Sequence, residues 1–167
     1  MNELTENLNS KHRKKEFSCG KDMLDSYLHK QANQDIKRKL SACFVLNDQE
    51  TDLLKGYYTL ANNSLAQNLI PAEFQKKLPN SYKSIPTTLL GRLAIDNRFQ
   101  KQGVGKLLLL DALKKSYEIS KSIGSFAVVV DPIDKDAERF YDKYGFIKLP
   151  DSGKMFLPMN TIKSLFE

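Results

Sequence analysis

The segment from Thr87 to Ser122 constrains the fold of this chain more than any other. Thr87 to Asp96 is apolar enough to be a buried strand, and Val104 to Ser122 has a helical apolar face that includes Leu107, Leu108, Leu110 and Tyr117. Between them lies Gln100-Lys101-Gln102-Gly103-Val104-Gly105-Lys106. A strand feeding a helix through such a loop gathers unpaired backbone N–H groups at the positive end of the helix dipole. That is a site for an anion. Two glycines let the backbone approach a diphosphate and permit positive φ, while Lys101 and Lys106 add charge at the rim. An ordinary glycine-containing turn that starts a helix has the same local sequence, so the loop alone does not identify a ligand. Neither Walker-A nor dinucleotide spacing is present.

Upstream, Leu24, Leu28, Ala32 and Ile36 recur at a spacing of four with Tyr27 beside them, which predicts an amphipathic helix with Ser18 as a candidate cap. Ala42 to Asn47 and Leu53 to Asn62 flank the polar segment Asp48 to Asp52 and read as a hairpin. Ser64 to Pro86, punctuated by Pro71, Pro79 and Pro86, reads as irregular. After the long helix, which Gly124 is expected to end, Ser125 to Val130 is a short apolar strand. Asp134 to Tyr144 is a helix closed by Gly145, and Phe146 to Leu149 and Met155 to Asn160 are expected to finish the sheet. Strands alternating with helices predict a mixed α/β sheet.

At 167 residues, with 41% hydrophobic and 28% charged, the chain has the size and composition of one globular domain spanning 1–167. No apolar run approaches the roughly 20 residues that span a bilayer, and Met1 to Asn9 lacks the basic start and apolar centre of a signal peptide. A cytoplasmic protein with no membrane partner is expected. Cys19 and Cys43 have no Cys-x-x-Cys spacing, and His12 and His29 lie outside any metal-ligand pattern, so free thiols and no metal are expected. The net charge of +6 favours an anionic partner, but each half of the chain carries +3, which makes local clusters more informative. Those are Lys11, Arg13, Lys14 and Lys15, then Lys37, Arg38 and Lys39. Either cluster is a solvated face or a contact for RNA phosphates, and no recognised RNA-binding module accompanies them.

Gln100, Gly103 and Gly105 meet the Gln/Arg-x-x-Gly-x-Gly/Ala motif of the GNAT acetyltransferases, which the sequence closely resembles. Arg92-Leu93-Ala94-Ile95-Asp96 is similar to the strand before that loop, and Ala137 to Phe146 is similar to the family's Phe-Tyr-x-x-x-Gly-Phe helix end. The resemblance implies a mixed, mostly antiparallel sheet with a splayed central parallel pair and helices on both faces. It implies acetyl-CoA as co-substrate, its pyrophosphate on Gln100 to Lys106 (including Gln102 and Val104) and its pantetheine arm along Leu93, Ala94 and Ile95, opposite Ser125 to Val130. Strand-edge pairing of that kind positions an extended ligand through main-chain bonds. Asp134 stands where many members have Asn, so no pantetheine contact is carried over to it. Phe17-Ser18-Cys19-Gly20, Leu24 to Leu28, Gly56 to Ala61 and Leu90 to Ala94 resemble the toxin-type branch, whose members acetylate the amine of aminoacyl-tRNA. That branch implies a small DNA-binding antitoxin as partner, and a homodimer.

Acetyl transfer from a thioester to an amine needs a neutral amine, a polarised carbonyl and a proton donor for the departing sulfur. The resemblance assigns the last role to Tyr141, with Tyr144, on the same helical side, as its rival. No histidine or paired carboxylate offers an obvious base. A lysine amine is neutral in fewer than roughly one molecule in a thousand at pH 7, whereas an α-amine is neutral about one time in ten, so the missing base favours an α-amine acceptor. Arg92 is a candidate to face an anionic acceptor, and Lys14, Lys15, Lys37 and Arg38 are candidate RNA contacts. A small-molecule amine or free amino acid as acceptor, and a module that binds acetyl-CoA without catalysis, are the alternatives.

Overall fold

The computed structural model describes residues 3–167, with a seven-stranded sheet in the order β1-β2-β3-β4-β5-β7-β6. The strands are β1 (Glu6–Asn7), β2 (Ala42–Asn47), β3 (Leu54–Ala66), β4 (Ser84–Ile95), β5 (Ala127–Val130), β6 (Ile147–Lys148) and β7 (Met155–Pro158). The helices are α1 (Asp22–Ser26), α2 (Ala32–Lys37), α3 (Ala72–Gln75), α4 (Val104–Ser120), α5 (Lys135–Lys143) and α6 (Met159–Phe166). The β4–β5 pair is parallel, while β1–β2, β2–β3, β5–β7 and β6–β7 are antiparallel. This is the mixed, mostly antiparallel α/β architecture that the motifs implied. No helix among the described residues is long and apolar enough to cross a membrane.

The chain forms two compact units. One holds the N-terminal part through Ala61 together with Leu90–Ala112, and the other holds Asn62–Leu89 and Leu113–Glu167. In the first unit Leu24, Tyr27, Leu28 and Ala32 are buried among Phe17, Val45, Leu54, Tyr57 and Ala94. The expected single helix is instead α1 and α2 joined by a π-helical turn at Tyr27–Gln31. A regular helix turns neighbouring side chains about 100° apart, and the widened turn accompanies burial of both Tyr27 and Leu28. Ser18 is not the cap. Lys21 holds that position without a side-chain cap bond, and Asp25 in the first turn accepts from the Cys19 N–H at 2.8 Å.

The hairpin of β2 and β3 forms as expected, with β3 running on to Ala66. Gly56 on β3 has no room for a side chain: a Cβ there would lie 2.7 Å from the Ala94 carbonyl oxygen and 2.7 Å from Leu108 Cδ1. The long helix exists, but its buried stripe differs from the expected one. Val104, Leu108, Ala112 and Ser116, spaced by four, are buried together with Leu109 and Leu113, whereas Leu107 is 47% exposed. Four consecutive leucines hide the phase of a helix, and the small residues Ala112 and Ser116 fix it. Gly124 does not end α4. The helix stops at Ser120, where a turn returns the Ser122 and Ile123 N–H groups to the Ile119 carbonyl.

In the second unit β5 is buried along its whole length, and Ala127 and Val129 pack with Leu65, Leu149 and Phe156. Strand β4 begins inside the stretch expected to be irregular. Pro86 has no N–H to give, but its carbonyl accepts from Phe126 at 2.8 Å. Asp134 caps α5 by accepting from the Ala137 N–H, and Gly145 closes it at φ 93°. The sheet does not continue to Asn160: Pro158 ends β7 and serves as the N-cap of α6.

Candidate active site

The loop before α4 carries the features expected of an anion cradle. Lys101 and Gly103 both have positive φ, 63° and 81°. Among the described residues, the backbone N–H groups of 100–106 reach no acceptor, and the first hydrogen bond of the helix is Leu107 N–H to the Gly103 carbonyl at 3.2 Å. Unpartnered donors converging on the N-terminus of a 17-residue helix attract negative charge. A Cβ on Gly103 would meet nothing within 4 Å, so glycine serves the backbone angle there and not the packing. Lys101, Gln102 and Lys106 are exposed beside it, and Val104 is buried.

Sequence reasoning missed what holds the loop. Asp96 is 1% exposed, and its carboxylate accepts from the Ser18 N–H at 3.0 Å and from Arg98 N, Nε and Nη2 at 2.9 Å each. Burial alone would raise its pKa, yet the Arg98 and Ser18 donors outweigh it and hold the carboxyl below its usual value. Arg98 Nη2 also donates to the Glu16 carbonyl, and Asn97 N–H to the Ser18 carbonyl at 2.8 Å. The Gln100 side chain, expected at the cofactor, points into this turn and donates to Ile95 O, Cys19 O and Asn97 Oδ1. The side-chain N–H groups of Gln100 are therefore engaged within the protein, which leaves its main-chain N–H to face an anion.

Strand β4 pairs with β5 at Thr88–Val128 and Leu89–Val129 and then continues through Leu93, Ala94 and Ile95. Ala94 is buried, and Leu93 and Ile95 are half-buried. Arg92 lies over the Tyr27 ring, its Cζ 3.5 Å from the centroid, in a cation–π contact. Tyr27 in turn donates to Asp35 at 2.8 Å, and burial and Asp35 push its hydroxyl up to about 12. Lys14 and Lys15 sit on a 3₁₀ turn at Lys14–Glu16, and Lys37 and Arg38 at the end of α2. None of these four forms an ion pair with a described carboxylate, and Lys37 complements the dipole of its helix whatever else it does.

In the second unit Tyr141 is 7% exposed, its ring 5.3 Å from Phe140 and 5.2 Å from Phe146. Its hydroxyl makes no hydrogen bond to a described residue and is not fully occluded. Burial raises its pKa far above that of a free phenol, which keeps it protonated. Tyr144 is less buried, with its ring against Phe140 and under the Lys143 ammonium. The free thiols Cys19 and Cys43 are both pushed up to about 12, mainly by burial, which leaves neither a ready nucleophile. Among the described residues no three metal-ligating side chains gather.

Residues 80–160 match the family described as acetyltransferase (GNAT) domain. The chain is 33% identical over 150 residues, 89% of its length and 87% of the relative's, to a tRNA-acetylating toxin of Mycobacterium tuberculosis. A solved structure of AtaT complexed with acetyl-methionyl-tRNAfMet superposes with a TM-score of 0.89 at 30% identity, covering 98% of each chain. One of a tyrosine-to-phenylalanine mutant of AtaT, bound to the C-terminus of the antitoxin AtaR and acetyl-CoA, gives 0.81 at 26% identity, covering 97% of this chain and 96% of that one. With relatedness of this extent along nearly the whole sequence, and the motif residues placed as described, the chain belongs to the GNAT acetyltransferases, in the branch of the tRNA-acetylating toxins.

Proposed function

We propose that this single domain transfers the acetyl group of acetyl-CoA to the α-amine of an aminoacyl-tRNA. The observation that carries the donor is the set of unpartnered N–H groups at 100–106, which suits a diphosphate. Lys101 and Lys106 screen its charge, and the part of β4 beyond its pairing with β5, at Leu93–Ile95, offers main-chain groups to the pantetheine arm. Acetyl-CoA supplies an activated acyl group, so the protein needs no nucleophile of its own, consistent with the two unreactive thiols. Tyr141 holds a proton on a hydroxyl without a partner among the described residues and gives it to the departing sulfur. The acceptor amine attacks the thioester carbonyl in its neutral form, which an α-amine supplies without a dedicated base; as the C–S bond breaks, the surplus proton of the new amide nitrogen leaves through water and restores the Tyr141 hydroxyl.

The acceptor reading rests on the tRNA-acetylating relatives, which match this chain along nearly all of its length. Lys14, Lys15, Lys37 and Arg38 are unpaired cations suited to RNA phosphates, and Arg92 is oriented by Tyr27. A toxin of this kind works in the cytoplasm, where charged tRNA is found, and is restrained by a small DNA-binding antitoxin. The test incubates purified protein with labelled acetyl-CoA and a charged tRNA pool, then digests the RNA. N-acetyl-aminoacyl-adenosine is the expected product. Efficient acetylation of a free amino acid or polyamine, with no such product, would replace the tRNA acceptor by a small molecule.

A further inference from the structure

We propose that Arg98 is a positioning residue for acetyl-CoA, fastening the pyrophosphate loop to the main chain of Glu16–Cys19. This rests on the reading of 100–106 as the diphosphate site. A loop that binds through its own N–H groups gains affinity only to the extent that its backbone is fixed before the ligand arrives. Within the loop little does that: Gln100 to Gly103 are exposed, two residues have positive φ, and a Cβ on Gly103 would meet nothing within 4 Å. The restraint comes from the turn before it. Asp96 collects four donors, three of them from Arg98, and Arg98 Nη2 reaches on to the Glu16 carbonyl at 2.9 Å. Asn97 N–H and Gln100 Nε2 add bonds to the Ser18 and Cys19 carbonyls.

The segment that receives these bonds is itself anchored. Phe17 is buried edge-on against Tyr57 at 5.5 Å, and its carbonyl accepts from His29 Nε2 at 2.9 Å. Beyond Glu16 it belongs to no helix or strand until α1, so its place beside the loop is explained by these bonds and not by regular structure. The forked guanidinium suits the task because one planar group meets both carboxylate oxygens of Asp96 and a carbonyl besides. An ammonium is a single point that cannot span all three.

The test compares Arg98→Ala and Arg98→Lys with wild type, using two donors, acetyl-CoA and S-acetylpantetheine, which lacks the diphosphate. The KM for acetyl-CoA should rise about tenfold or more in both variants, the scale of a lost charged hydrogen bond. The kcat, the KM for charged tRNA, and kcat/KM with S-acetylpantetheine should match wild type. If Arg98→Ala does not fold, Arg98→Lys, which keeps a charge beside Asp96, carries the comparison. A folded variant with unchanged KM for acetyl-CoA overturns the proposal, as does an equal loss with both donors. Equal kcat/KM for the two donors in wild type overturns the loop reading itself, and is thereby distinguished from failure of the Arg98 role alone.

Discussion

Tyr141 keeps its proton because its ring is packed between Phe140 and Phe146, and burial disfavours the phenolate. A general acid must arrive protonated, so this environment suits the task, and a hydroxyl with no hydrogen bond to a described residue would have its proton free for sulfur. Tyr141→Phe should therefore lower turnover by roughly 100-fold while acetyl-CoA affinity measured by calorimetry stays at the wild-type value. The sign of its shift also fixes a pH profile. A raised pKa keeps the acid form present throughout the range below the free phenol value of about 10. The kcat of wild type should consequently show no alkaline loss from this group below about pH 10, and a fall near pH 8 that disappears in Tyr141→Phe would contradict the assignment. The sequence singles out Tyr141 as a candidate through its Phe-Tyr-x-x-x-Gly-Phe context. The role of Asp96 and Arg98 was not legible there, because the groups through which this pair reaches the N-terminal segment are a main-chain amide and a main-chain carbonyl some 80 positions away, Ser18 N–H and Glu16 O, and backbone groups leave no trace in residue identity.

At the scale of elements, two glycines separate stability from binding. Gly56 lets β3 approach β4 and α4, and a Cβ there would meet the Ala94 carbonyl and Leu108 at 2.7 Å. Gly56→Ala should cost about 1–3 kcal/mol through overpacking, seen in thermal denaturation as a Tm lowered by roughly 3–10 °C. Gly103 has open space around it but a φ of 81°, which a β-branched residue rarely adopts. Gly103→Val should stay folded and lose acetyl-CoA affinity in calorimetry, since strain moves the N–H groups away from the diphosphate. A folded variant with wild-type affinity would reject the cradle. The strand–loop–helix junction was legible because glycine spacing and a long apolar run survive in one dimension. The face of α4 was not, since Leu107 to Leu110 present leucine in every direction. Helix α6 was also missed, because the apolar run from Met155 crosses Pro158 without a change in composition where β7 ends and the helix begins.

At the scale of the whole molecule, the net charge of +6 says little by itself, because it is shared equally between the two halves of the sequence. Lys14, Lys15, Lys37 and Arg38 form no ion pair with a described carboxylate, in contrast with Arg13, which is paired with Glu16 at 3.1 Å. A cation already paired must give up its partner to bind a phosphate, whereas an unpaired one displaces only water and counterions. The acceptor and the donor should therefore respond to salt very differently. Each phosphate contact to folded RNA contributes nearly one unit to the slope of log affinity against log salt, so four contacts should give a slope near −3 to −4 for charged tRNA. Acetyl-CoA, if held largely by the backbone N–H groups of 100–106 as proposed, should show a much shallower dependence. Replacing all four residues with glutamine should raise the KM for tRNA, remove most of that slope and leave the KM for acetyl-CoA close to wild type. A tRNA KM that stays steeply salt-dependent in the quadruple variant would move the RNA contact to another surface, because counterion release can be lost only where the neutralised charges met phosphate.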